Sequence, residues 1–289
     1  MTAPLPFQPV IIIGAARSGT NALRDAMTAL PDLRTWPCDE INPIWRHGNL
    51  FWPNDEIPPE QASPKVIRFV RRQFMRIWHE TGQPEFVVEK TCANTLRVPF
   101  VAKILPEARF IHLVRHGEVV TASAAKRWKG EFELDRASYF RAKAKYAPKL
   151  DLPLYALATL RQRLAVWLGT RERLSVWGPR FAGVADLKGA PVEELCARQW
   201  VASVDRADTD LTALGDGRVH KLSYEAFVAD PAQELSRIAM FLGSDASEAD
   251  ITNAVAGVRR SRVQPTTGNF GAQVRAILTE TLKRNGYGY

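Results

Sequence analysis

The feature that most constrains this chain is residues 10–23, Val-Ile-Ile-Ile-Gly-Ala-Ala-Arg-Ser-Gly-Thr-Asn-Ala-Leu. Val10 to Ile13 read as a buried strand, which runs into Gly14, a short loop and a helix opening near Ser18 and stopping at Pro31. Such a turn aims consecutive backbone N–H groups at one spot, where the helix dipole adds a positive field, so it forms a cradle for an anion. Gly14 and Gly19 have the Gly-x4-Gly separation of a phosphate loop, whose nucleoside-triphosphatase form continues Gly-Lys-Ser/Thr. Here Thr20 and Asn21 follow Gly19, and the cation lies inside the loop as Arg17. A fixed cation there sits beside the innermost bound phosphate, where it can stabilise a bridging oxygen that becomes a leaving group.

A second apolar run, Ala108 to Arg115, reads as another buried strand ending in an arginine, with a helix over Val119 to Arg127. Ser123 and Arg127 are four apart and share one helix face. Ligands of open α/β sheets bind outside the carboxyl ends of the strands, so Arg115, Ser123 and Arg127 are expected to face the same crevice as the first loop. Two separated anion sites suit a ligand phosphorylated at two points. Strands alternating with helical segments predict a mostly parallel sheet in an α/β layer fold.

Four blocks in order resemble the sulfotransferases that use 3′-phosphoadenosine 5′-phosphosulfate. Gly14-Ala-Ala-Arg17-Ser18-Gly19-Thr20 is similar to the family's 5′-phosphosulfate loop, and Arg115 with Ser123, eight residues on, to its 3′-phosphate motif. Val88-Glu89-Lys90-Thr91 looks like its Lys-x-Pro segment, with Cys92 where proline is usual, and Leu222 to Gly243 looks like its Tyr-Glu-Asp-Leu…Asp-Pro…Phe-Leu-Gly block. The Arg-Ser-Gly-Thr loop and Arg127 look most like the branch with protein-tyrosine sulfotransferases and many bacterial enzymes.

The resemblance implies a phosphate-loop-type three-layer fold with a helical acceptor-binding insertion near residues 130–200, all in one domain. It implies that Gly14, Arg17, Ser18, Gly19, Thr20, Asn21, Arg115, Ser123, Arg127, Tyr224 and Ser261 bind the nucleotide, with Tyr224 against the adenine. It also implies an acid about twenty residues after the loop arginine as base, which matches Asp39-Glu40, and Lys90 as an aid to sulfuryl transfer. Glu89 competes with Glu40, because glycosaminoglycan sulfotransferases use the acid of that block; Glu40 is preferred. The expected reaction moves a sulfuryl group to a hydroxyl, first of a saccharide or other hydroxylated metabolite, second of peptide tyrosine, leaving 3′-phosphoadenosine 5′-phosphate. No metal is expected, since arginine and lysine supply the positive charge.

Two rivals are a phosphate-loop kinase, disfavoured by Thr20 in the lysine position, and a nucleotide-binding protein without turnover, disfavoured by the presence of both Glu40 and Lys90. The formal charge of +8 suits polyanionic ligands. The arginines are scattered and no nucleic-acid motif is present, so nucleic acid is not the expected partner. Cys38, Cys92 and Cys196 lack metal spacing and fit a reducing compartment. With no basic leader or long apolar run, a cytoplasmic location is expected, with a peripheral membrane contact left open.

Residues 66–78 predict an amphipathic helix, apolar at 67, 70, 74 and 77, with Arg68, Arg71, Arg72 and Arg76 on its basic side. It reads as a core-packed helix in preference to an acceptor- or membrane-binding face. His112 and His116 fall in strand and turn, so they do not share a face as metal ligands would. Residues 139–183, with Tyr139, Tyr146, Tyr155, Trp167, Trp177 and Arg180, match no block and read either as an acceptor cleft or lid or as ordinary helix packing.

Overall fold

The computed structural model describes residues 4–128, 146, 151, 153, 178–187, 189–259 and 270–288. Among these, β1 (Gln8–Ile13), β2 (Leu33–Thr35), β3 (Phe86–Lys90), β4 (Arg109–Val114) and β5 (Val219–Ser223) form one all-parallel sheet, in the order β2-β3-β1-β4-β5. The described helices are α1 (Thr20–Thr28), α2 (Asn42–Trp45), α3 (Pro64–Glu80), α4 (Val98–Ile104), α5 (Gly117–Trp128), α6 (Val192–Thr212), α7 (Tyr224–Ala229), α8 (Pro231–Leu242), α9 (Glu248–Ala254) and α10 (Ala272–Arg284).

The uninterrupted apolar run of β1 suits a central strand of a parallel sheet, which is covered on both faces. Alternation along the strand sends Ile11 and Ile13 toward Val70 and Phe74 of α3 and Phe100 and Ile104 of α4. Val10 and Ile12 go the other way, to Leu23 and Met27 of α1 and Leu235 and Ile238 of α8. The result is three layers. A further cluster joins Val120 of α5, Trp200 and Val204 of α6, and Leu278 of α10.

Strand order positions the site. After β3 the chain crosses to the opposite side of β1, so β1 and β4 are neighbours whose following connections run to opposite halves of the sheet. The carboxyl ends of such a pair bound a crevice.

Helix α1 begins at Thr20, two residues later than its sequence suggests, because Arg17 (φ 73°) and Gly19 (φ 89°) both take the left-handed conformation. Helix α3 runs from Pro64 to Glu80, with proline in its first turn and the Ser63 hydroxyl accepting the Val66 N–H. It packs on the core through Val66, Val70, Phe74 and Ile77. One assignment on it is corrected: Arg71 is not on the basic side. It is buried, donating to Glu107 at 2.7 and 2.9 Å and to the Ile104 carbonyl at 3.2 Å, because an inward-facing guanidinium must be paired.

No described helix is long and apolar enough to cross a membrane. Of the residues named in the 139–183 segment, Tyr146 and Arg180 are described, Tyr146 donating to Glu80 Oε2 at 3.1 Å. Tyr139, Tyr155, Trp167 and Trp177 lie outside the described residues.

Candidate active site

The connection after β1 is fixed by steric contacts of its glycines. A side chain at Gly14 would put Cβ 2.7 Å from Thr20 Cγ2 and 2.8 Å from the Leu113 carbonyl, so the loop lies directly against β4. A Cβ at Gly19 would lie 2.3 Å from two ring carbons of Tyr224, and the positive φ already disfavours any side chain there. Arg17 holds the same left-handed region without being glycine, a strained conformation of the kind that collects at ligand-binding turns. Ser18 is fully buried and its Oγ has no hydrogen-bond partner among the described residues.

Three arginines converge on this loop. Arg17 Nε donates to Ser123 Oγ on α5 at 3.0 Å, and Arg115 Nη1 donates to the Arg17 carbonyl at 3.1 Å. The Arg115 guanidinium also lies over the Tyr224 ring, 4.2 Å from its centroid, so Tyr224 is held between Gly19 and a cation. Burial, then Arg127 and Arg115, pull the Arg17 guanidinium below its ordinary range. A loop guanidinium lowered by its cationic neighbours suits a nearby anion. Arg115 Nε is buried without a partner among the described residues, which leaves one more donor for it. The residues expected from sequence to form two separate anion sites are contiguous in the fold, joined through Arg17.

The opposite wall of the crevice is acidic. Lys90, the last residue of β3, is almost wholly buried and donates to Asp39 Oδ1 at 3.0 Å and to Glu40 Oε1 at 3.3 Å. The same Glu40 oxygen accepts the Cys92 backbone N–H at 3.2 Å. Burial pulls the Lys90 ammonium down, but Cys92, Glu40 and Asp39 outweigh it and hold the group above its usual range. Asp39 is lowered in turn: burial opposes its charge, and Lys90, Arg24 and Asn21 overcome that.

Arg17, Gly19, Thr20, Asn21, Asp39, Glu40, Asn42, Lys90, Cys92 and Arg115 line one cleft of about 440 Å³, closed on another side by Gly178 and Pro179. That wall is pinned by the buried Asp55, which accepts the Arg180 N–H at 2.8 Å, and by Gln199, which donates to the Pro179 carbonyl at 2.9 Å.

Glu89 is not in this cleft. It is buried on the opposite face of β3, where Thr91 Oγ1 donates to its Oε1 at 2.5 Å and Asn94 Nδ2 to its Oε2 at 2.9 Å. Burial pushes its carboxyl up to about 7.

Of the nucleotide-binding residues expected from sequence, Arg17, Gly19, Thr20, Asn21 and Arg115 line the cleft, while Gly14, Ser18, Ser123, Arg127 and Tyr224 surround it from behind or beside. Ser261 lies outside the described residues. His112 is buried in β4, its Nδ1 3.5 Å from Asp208 Oδ1, and burial lowers it to about 4. Among the described residues no cluster of histidine, cysteine or acidic side chains could hold a metal ion. Asn42 and the Cys92 N–H are not among the residues expected from sequence, although Cys92 carries a signal, since a residue other than proline restores an N–H beside Lys90. Gly178 and Pro179 belong to the 139–183 segment read as a cleft or lid or as ordinary packing, and they line the cleft.

A sulfotransferase family model matches residues 9–168 and 170–248, and the chain belongs to that family. No curated protein matches it. Among solved structures it is similar to a sulfotransferase domain from the curacin biosynthetic pathway, at 14% identity and TM-score 0.55 over 99% of each chain. It is also similar to the sulfotransferase domain of the Synechococcus PCC 7002 olefin synthase, at 17% identity and TM-score 0.57 over 98% of this chain and 96% of that one. Sulfotransferase STF9 from Mycobacterium avium matches at 14% identity and TM-score 0.56, over 98% of this chain and 77% of its own. At such identities these likenesses concern the fold.

Proposed function

We propose that this sulfotransferase moves the sulfuryl group of 3′-phosphoadenosine 5′-phosphosulfate to a hydroxyl of a polar acceptor, a saccharide or other hydroxylated metabolite, in the cytoplasm. The observation that carries the reading is the placement of Glu40 and Lys90 across one cleft from Arg17 and Arg115. The donor fits the residues present: the left-handed turn at Arg17 and Gly19, the orphaned Ser18 hydroxyl and three converging arginines suit a ligand anionic at two points.

Bound there, the donor supplies an activated sulfuryl group, so the protein has to hold charge and move one proton. The loop N–H groups with Ser18, Thr20 and Asn21 take the 5′-phosphate end, and Arg115, Ser123 and Arg127 the 3′-phosphate, with Tyr224 against the base. Arg17 and Lys90, which line the same cleft, would supply the positive charge that a departing bridging oxygen needs. Glu40 accepts the proton of the acceptor hydroxyl, which is a poor nucleophile while it keeps it. Lys90 donates to Glu40 at 3.3 Å and fixes its place in the cleft, and the fully buried Glu89 is too far behind the strand to share the task.

The described lining favours a polar acceptor. Its apolar members, Ala16, Cys92, Ala93 and Pro179, are all small, and none is aromatic. A peptide tyrosine would find little among them to pack against. Labelled-sulfate transfer from the donor, screened over sugars, polyols, phenols and tyrosine peptides, tests the reading. Calorimetry should show binding of 3′-phosphoadenosine 5′-phosphate and not of ATP. Tight ATP binding, or activity lost to EDTA and restored by Mg²⁺, would favour a kinase.

A further inference from the structure

We propose that Glu89 is a positioning residue whose buried carboxylate anchors two hydrogen-bond relays holding the turn at Glu40, Ile41 and Asn42 against the cleft. The inference rests on reading Glu40 as the base. The first relay passes through Thr91, whose hydroxyl donates to Glu89 Oε1 and accepts the Ile41 N–H at 3.3 Å. The second passes through Asn94, which donates to Glu89 Oε2 and accepts from Arg97 Nε at 2.8 Å. Arg97 Nη2 then donates to Asn42 Oδ1 at 2.6 Å. Both relays end on the residues that immediately follow Glu40, and the Cys92 N–H, one residue beyond Thr91, meets the Glu40 carboxylate itself.

The direction of every bond is set by chemistry. A guanidinium only donates, so Asn94 must turn its oxygen to Arg97 and its NH₂ to Glu89. The Ile41 N–H only donates, so the Thr91 hydroxyl accepts it and spends its own hydrogen on Glu89. The residue at 89 must therefore accept at one oxygen for Asn94 and satisfy a hydroxyl with the other. Thr91, Asn94 and Arg97 are all within 1% of complete burial, as is Glu89. A set of polar groups so far from water is costly unless every member is bonded, and apolar residues would fill the same space more cheaply. What this set does that apolar residues could not is grip a backbone N–H and an amide side chain of the turn that carries the base.

The test uses the full chain and reads amide hydrogen exchange by mass spectrometry in the peptide covering residues 39–44. Thr91→Val keeps shape but removes the hydroxyl, and should speed exchange in that peptide about tenfold, the worth of one buried hydrogen bond. Exchange in β1 and β4 should not change, nor should affinity for 3′-phosphoadenosine 5′-phosphate. Thr91→Ser should restore protection, and the carbon-13 chemical shift of the Glu40 carboxyl at fixed pH should move in the valine variant and return to the parent value in the serine one. Glu89→Gln can still accept from Asn94 but turns an NH₂ toward Thr91, whose hydroxyl hydrogen loses its acceptor, so exchange of the same peptide should speed up several-fold. Should Thr91→Val not fold, Asn42→Ala cuts the second relay at the cleft surface and should speed exchange of the same peptide several-fold. Unchanged exchange in 39–44, equal loss with valine and serine, or loss spread evenly over the sheet would each overturn the proposal. None of these readouts uses turnover. If Glu40→Gln proved fully active, the base assignment would fail while the relay still stood or fell on exchange.

Discussion

Arg17 Nε and Ser123 Oγ, 106 positions apart in the chain, meet at 3.0 Å. This bond ties the loop after β1 to the helix after β4, so the two halves of the expected donor site are one structure. The Arg17 carbonyl accepts from Arg115 in the same place, and Arg115 stacks on Tyr224. A ligand anionic at both ends would meet a single cationic surface whose members orient one another.

Arg115→Ala is therefore expected to weaken binding of 3′-phosphoadenosine 5′-phosphate by about 1.5–3 kcal/mol, the range for a hydrogen bond to a charged group. Adenosine 5′-phosphate, lacking the 3′-phosphate, should lose much less, the remainder reflecting the freed Arg17 carbonyl and Tyr224 ring. Titration calorimetry of the two nucleotides with parent and variant checks this. Equal losses would remove the 3′-phosphate from Arg115.

Gly19→Ala should damage the same site by another route. The left-handed backbone costs an L-residue about 1–2 kcal/mol, and the new Cβ would collide with the Tyr224 ring. We expect a lower melting temperature and at least a tenfold loss of nucleotide affinity. Adding Tyr224→Ala should recover only part of the melting temperature, since the clash goes but the backbone strain stays, and affinity should remain low because the ring is lost.

The sheet and the anion loop are legible in the sequence because both are local: an apolar run with glycine at its end dictates strand and turn. Contacts between distant segments are not. Nothing in residues 115–127 says that Ser123 would bond to Arg17, and reading 139–183 as a cleft or lid does not single out Gly178 and Pro179 as the wall. Arg71 shows a different failure. It stands four residues after Ile67 and three before Phe74, so helical spacing alone puts it on the inner face, but its charge invites the opposite assignment. Glu89 and Lys90 are adjacent on a strand and must face opposite ways. The sequence cannot say which of them faces the ligand; the packing of α1 on that side of the sheet decides for Lys90.

Glu40→Gln keeps the size and polarity of the side chain but cannot take up a proton. Its kcat should fall by roughly 10²–10⁴, the usual contribution of general acid–base catalysis, with nucleotide affinity nearly unaltered because Glu40 faces Lys90 and the acceptor side. Steady-state kinetics on the best acceptor from the screen, paired with calorimetry, checks both halves. Asp39→Asn serves as the control: Asp39 also contacts Lys90, at 3.0 Å, so a comparable fall there with Glu40→Gln active would move the base by one residue.

The pH dependence of stability should carry the signature of Glu89. Its carboxyl is pushed by burial from the ordinary 4.5 to about 7, so the folded protein holds a proton that the unfolded chain has already released between those values. A state that binds more protons is favoured by acid, so this residue's contribution falls as pH rises from about 4.5 to 7 and is constant above. At 1.36 kcal/mol per pH unit the loss comes to about 3 kcal/mol. Other groups titrate in the same window, among them His112, which burial lowers from 6.5 to about 4 and whose contribution therefore rises with pH there, while Asp39, lowered from 3.8, acts below it. The difference between Glu89→Gln and parent cancels those contributions. Urea unfolding at pH 5 and pH 8 should show the variant gaining on the parent by about 3 kcal/mol across the interval. A difference independent of pH would mean that Glu89 keeps an ordinary carboxylate titration despite its burial, with Asn94, Thr91 and the nearby Arg97 fully offsetting the loss of water.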